Sequence, residues 1–166
     1  MKGIDVRIEE LRSFLESNLW TSNDVTFYGR IFRQIKGDGI MPMNFVAPID
    51  YQDVLTDDMK DGICFFDVQP SEDYENQFIS DVWIQFALNL AELYPTETAA
   101  GERTTEYAHE DVIKLIKKKW SVKSITGLVR GITAFDDYTG VKPTDDYQPF
   151  YIFRINTTIK YKINCE

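Results

Sequence analysis

Apolar residues recur at Ile4, Ile8, Leu11, Leu15 and Leu19, with Phe14 alongside and charged or small polar residues between them. A repeat of three to four gathers apolar groups on one stripe of an α-helix, so the chain is predicted to open with an amphipathic helix that packs on another element. Asp5 in its first turn suits the positive end of the helix dipole. The period then shortens. VTFYGRIFRQI is dense in β-branched and aromatic residues and runs into KGDG, whose Asp-Gly suits a turn that needs positive φ; a strand and a turn are predicted. IMPMNFVAPIDYQDVLTDDMKD carries two prolines and five aspartates and reads as a short edge strand or an ordered loop, because proline withholds a ladder donor. GICFFDVQ is nearly all apolar and reads as a short strand buried on both faces.

PSEDYENQ is predicted to turn, and FISDVWIQFALNL then alternates. Phe78, Val82, Ile84, Phe86, Leu88 and Leu90 share one face; Ile79, Asp81, Trp83, Gln85 and Asn89 share the other. Such a strand has one buried side and one side that is wet or meets a partner, and Trp83 is the residue to watch on that second side. YPTETAAGERTT reads as a polar connection. EYAHEDVIKLIKKKW brings Ala108, Val112, Leu115 and Ile116 onto one helical face, with lysines at the negative end, so a second helix is predicted near 103–119. SVKSITGLVRGITAF reads as β structure bent at Gly127 and Gly131. In the closing PFYIFRINTTIKYKI, Tyr151, Phe153, Ile155, Thr157, Ile159, Tyr161 and Ile163 point one way. Strands that cluster rather than alternate with helices indicate a mainly antiparallel sheet packed with two helices. The class is α+β, in a single domain over 1–166.

The formal charge of −9 and a pI near 4.6 oppose a simple role in gripping phosphates, which needs clustered Lys and Arg, and favour solubility or a surface that repels DNA. Cys64 lies in an apolar run and Cys165 next to the end; without a CxxC or zinc spacing, both are expected to stay reduced. The charged first residues lack the apolar run of a signal peptide, and no segment is long and apolar enough to span a membrane.

Asp136-Asp137-Tyr138 recurs as Asp145-Asp146-Tyr147. Four carboxylates on one loop suit a hard cation, but the spacing matches no EF-hand, so no metal is expected and the loop reads as a solvated hairpin connection or an interface. His109, the only histidine, lacks a second His four residues on and reads as helix surface; a pair with Cys64 is disfavoured by that thiol's buried strand. Neither KGDG nor GLVRG forms a phosphate loop, and no cofactor is expected. Lys117-Lys118-Lys119 before Trp120 either serves the helix dipole or touches a phosphate backbone, the dipole being the simpler account. Tyr28, Trp83, Tyr151 and Tyr161 are the aromatics expected to reach the surface in part, as interfaces favour. No catalytic constellation is present.

The order of an N-terminal amphipathic helix, NDVTFYGRIF, GICFFDVQ, DVWIQFALNL, a helix EDVIKLIKK and a closing YQPFYIFRINTTIKYKI resembles phage tail-completion proteins. It is similar, more specifically, to tail terminators and related head–tail joining proteins of long-tailed phages. The resemblance covers most of the chain by order and texture, without a diagnostic motif. It implies a non-enzymatic virion subunit that forms a ring, commonly sixfold, capping the tail tube and meeting neck or connector proteins, with DNA only as passing cargo and host cytoplasm as the place of assembly. Asp136, Asp137, Asp145, Asp146 and Trp83 are then the expected interface or channel residues. The alternatives are a small monomeric binding or inhibitor-type domain with an acidic surface, or a small enzyme using the acidic loop.

Overall fold

The computed structural model describes residues 2–48, 50–55, 60–74, 78–141 and 147–162. In chain order the elements are α1 Ile4–Asn18, β1 Val25–Arg30, β2 Phe32–Lys36, β3 Gly39–Ala47, β4 Asp50–Asp53, β5 Gly62–Tyr74, β6 Phe78–Leu88, α2 Leu90–Leu93, α3 Pro95–Ala99, α4 Thr104–Ile116, β7 Val122–Arg130, a 3-10 turn Ile132–Phe135 and β8 Tyr151–Tyr161. The fold is α+β.

A five-stranded sheet in the order β1-β5-β6-β8-β7 forms the body, and a three-stranded meander β2-β3-β4 stands beside it. All pairings are antiparallel except β1 with β5. A parallel pair needs a crossover, and here the crossover carries the small sheet where a helix is usual. VTFYGRIFRQI is therefore two strands in two sheets. The break falls at Ile31, which is buried and donates its N–H to the Phe66 carbonyl at 2.8 Å.

Several other segments depart from their sequence reading. The β2–β3 turn is Gly37-Asp38, with the positive φ (62°) on Gly37, the first turn residue, as a type II′ hairpin requires. IMPMNFVA is neither loop nor edge but the central strand of the small sheet. Pro42 is tolerated because its carbonyl accepts from Val54 on the β4 side, where β4 pairing has stopped at Met43, so no bond to β2 is lost. β5 continues through PSEDY to Tyr74, its register shifting between Val68 and Glu72. YPTETAAGERTT contains helix: α2 precedes it, and Pro95 occupies the first turn of α3, where a missing N–H costs nothing. ITAF is a 3-10 turn, because Gly131 at φ 78° swings the chain out of β7 and buries Ala134 and Phe135.

The helix-covered face holds the larger core. Ile8, Leu11 and Leu15 of α1, with Ala108, Val112 and Ile116 of α4, meet Cys64, Phe86, Phe153 and Ile155 of the sheet. Phe153, Ile155, Ile159 and Tyr161 of β8 point this way as predicted, and Thr157 joins them by donating its hydroxyl to the Val82 carbonyl at 2.8 Å. Ile163 lies outside the described residues. The opposite face carries a second cluster, with Ile63, Phe65, Ala87 and Ile152 beneath Phe135 and Tyr138. Among the described residues no helix is long and apolar enough to cross a membrane.

Candidate functional site

Alternation turns every second residue of β5, β6 and β8 away from the helices. Two rows result on the outer face: Phe65, Gln85 and Arg154, then Asp67, Trp83 and Asn156. This face is polar at its centre and is covered from two directions. From the β7–β8 connection comes Tyr138, fully buried against Phe65 and Phe135, its hydroxyl donating to Asp67 Oδ2 at 2.7 Å. From β2 comes Arg33, which donates to the same oxygen through Nε at 3.0 Å, with Nη2 at 2.8 Å completing the ion pair. Arg33 Nη2 also donates to Gln69 Oε1 at 3.1 Å and lies 3.4 Å from Asp137 Oδ2.

Asp67 is only 2% exposed, and burying a carboxylate is costly unless it is paired and hydrogen-bonded. The guanidinium and the phenol meet that condition together. Burial, reinforced by Asp67, holds the Tyr138 phenol well above its ordinary range, so it remains a donor. Beside them Arg154 lays its guanidinium 3.7 Å over the Trp83 ring, and its Nη1 reaches the Ala134 carbonyl at 3.4 Å. Gln85 Nε2 donates to the same carbonyl at 3.1 Å. The 3-10 turn, β2 and three strands of the large sheet are thereby tied to one charged centre.

A second tie lies next to it. Ile40 N–H donates to Thr139 Oγ1 at 2.9 Å, and Gly140 N–H to the Ile40 carbonyl at 3.0 Å. The chains approach so closely that a Cβ on Gly39 would fall 2.3 Å from the Gly140 backbone. Between β2 and β5 remains an open cleft of about 520 Å3, lined by Arg30, Phe32, Arg33, Asp67, Gln69 and Pro70 among others. Asp67 accepts two hydrogen bonds and an ion pair at one oxygen, so the centre ties β2, β5 and the β7–β8 connection together.

The small sheet so held is apolar and exposed. Phe45, Tyr51 and Phe32 form an open aromatic row on one face, with ring centroids 5.5 and 6.2 Å apart, whereas Ile35, 83% exposed, alternates to the other face, and Val46, 59% exposed, lies in the register shift beside Phe45. The small sheet thus exposes apolar groups on both sides. The reading of 40–53 as edge strand or loop hid it; the signal available was that IMPMNFVAPIDY is too apolar for a solvated loop.

Of the expected site residues, Trp83 and Asp137 come together through Arg33, whose guanidinium lies 5.7 Å from the indole. Asp136 is exposed, and Asp145 and Asp146 lie outside the described residues. The tyrosine of the first triplet is an anchor in the second core. Among the described residues no group of three or more His, Cys, Asp and Glu side chains could hold a metal ion. His109 is buried at 3% exposure rather than on the surface, with Nε2 3.2 Å from the Tyr151 hydroxyl and its ring against Phe153; burial, then Arg130, lowers its pKa against the pull of Glu106. Cys64 stands on the same row as Phe153, but the Phe86 strand separates them, and burial pushes the thiol up. Cys165 lies outside the described residues. Among the expected surface aromatics Tyr161 is buried and Tyr28, Trp83 and Tyr151 are half-buried; Trp120, outside that expectation, is 59% exposed.

No family model, curated protein or solved structure matches the chain.

Proposed function

We propose that the chain is a structural virion subunit, a tail terminator or head–tail joining protein that assembles with copies of itself into a ring capping the tail tube. The observation that carries this reading is the exposed apolar surface of β2–β4, with Phe32, Phe45 and Tyr51 on one face and Ile35 on the other, tied to the body through the Arg33–Asp67–Tyr138 centre. A monomer in water gains nothing from Ile35 and Val46 at those exposures, whereas a neighbouring subunit or tube protein would cover them. Contacts between unlike surfaces of identical subunits close into a ring when the rotation allows. The resemblance of the chain's order of segments to tail-completion proteins supports the same reading. In this reading the protein is not an enzyme, acts in the virion, and meets DNA as cargo.

Light scattering and negative-stain microscopy across a concentration series, with and without the tail tube, test it. Particles at a multiple of 19.3 kDa are expected, lost when Ile35 and Val46 are replaced by Asp. A strict monomer in every condition, tube included, rejects it.

A further inference from the structure

Many cations are matched to carboxylates: Arg12 to Glu9 and Glu16, Arg30 to Asp5, Lys36 to Asp53, Lys114 to Glu110, Arg130 to Glu106. Among the described residues Lys2, Arg103, Arg154 and Lys162 have no such pair, and one end of the molecule holds a larger group. Lys117, Lys118 and Lys119 follow the C-terminus of α4, Lys123 lies at the start of β7, and Lys160 near the close of β8 donates its N–H to the Ser121 carbonyl at 2.8 Å. Strand pairing thus brings Lys160 beside Trp120, whose neighbours in the chain are Lys117, Lys118, Lys119 and Lys123; Lys119 Nζ lies 4.9 Å from the Phe14 ring. Among the described residues none of the five forms an ion pair with a carboxylate. Trp120 is 59% exposed, with the guanidinium of Arg7, itself paired with Glu10, 4.5 Å and Lys160 Nζ 5.5 Å from its ring.

The helix dipole accounts for residues 117–119 alone; Lys123 and Lys160 sit on strands and owe it nothing. Like charges brought together without counter-charges repel, and a polyanion laid across them relieves that repulsion by replacing condensed counterions. We propose that this end binds nucleic acid through its phosphate backbone, with the lysines on phosphates and Trp120 stacking an unpaired base. The exposed indole distinguishes the patch from a plain electrostatic contact: every base offers a π-face to it, and a carboxylate surface does not. The net charge of −9 hides the site, because the acidic remainder confines contact to this one end. The inference stands on these residues and is independent of the ring.

Fluorescence anisotropy with a labelled oligo-dT and a labelled duplex of equal length tests it on the whole chain. Binding is expected at low salt, weakening on the order of 100-fold between about 50 and about 200 mM, as release of several counterions requires. Lys117→Gln with Lys118→Gln and Lys123→Gln should weaken both probes at least about tenfold at an unchanged melting temperature, given the same counterion argument. Trp120→Ala should cost the single strand several-fold more than the duplex; equal costs would overturn the stacking role. Absence of binding at the lowest salt, or binding indifferent to the lysine variant, overturns the proposal. So does a lysine variant that loses self-association or tube binding while neither probe binds the parent chain, which would assign the patch to an acidic protein surface.

Discussion

The two faces of the large sheet are made by the same strands and differ by one residue in register. Toward the helices stand Cys64, Phe86 and Phe153, then Phe66, Ile84 and Ile155; one step along, on the other side, stand Phe65, Gln85 and Arg154, then Asp67, Trp83 and Asn156. The first face is sealed by α1 and α4 through hydrophobic burial, which is non-directional and roughly proportional to area. The second depends on directed bonds, since Asp67 is satisfied only while Arg33 and Tyr138 occupy their positions. The helix face therefore supplies stability, and the outer face determines where the small sheet stands.

Breaking the helix face should have the largest effect. Leu11 is fully buried on α1, and Leu11→Ala should lower stability by about 2–5 kcal/mol, read from denaturant midpoints. Asp67→Asn comes next, at about 1.5–3 kcal/mol for a lost charged hydrogen-bond set. Its signature should be regional: amide exchange quickens in β2 and β3 while α1 stays protected, and uniform loss of protection would mean the two faces are not separable. Tyr138→Phe removes the bond to Asp67 and a long one accepted from Gln85, and should cost about 0.5–1.5 kcal/mol near neutral pH. Because the folded-state phenol pKa is raised, the native state holds its proton after the unfolded chain has lost it, so this stabilisation is full below pH 10 and is lost as pH rises above it. The Phe variant should show a shallower alkaline decline.

His109 gives the opposite sign. Its folded pKa is depressed below 6.5, so stability is full above that value and falls as the pH drops through it, when the unfolded chain takes up the proton more readily. Tyr151, Glu106 and Arg130 are the polar groups around the ring, and His109→Phe should remove this increment of the acid slope while the carboxylate titrations persist. The smallest effect on stability belongs to the exposed sheet. Ile35→Asp with Val46→Asp should move the denaturant midpoint by no more than about 0.5 kcal/mol, the usual range for surface changes, while abolishing assembly.

The helix face was legible in the sequence because its signals are local. The three-to-four repeat of α1, the alternation of β6 and the one-sided run of β8 each announce the buried face without reference to a partner. Trp83 was legible as a residue of the second side, yet its partners were not, since Arg33, Asp67, Tyr138 and Arg154 lie on four segments far apart in the chain. His109 misled for a related reason: its helix reads the same whether Tyr151 and Phe153 lie over the ring or water does. At Gly39 the sequence showed a turn residue, whereas close passage of Gly140 is what demands the missing side chain.

By itself, then, the sequence determined two packed helices, a mainly antiparallel sheet with an apolar helix face, and an acidic chain, because period and composition are properties of neighbours along the backbone. The tertiary structure alone decided the parallel β1–β5 edge, the split at Ile31 that releases the small sheet, the burial of Tyr138 onto Asp67, and the approach of Lys160 to Trp120. Each of these is a long-range pairing, selected by which strand lies beside which, and hydrogen bonding across a sheet leaves no local period for the sequence to display.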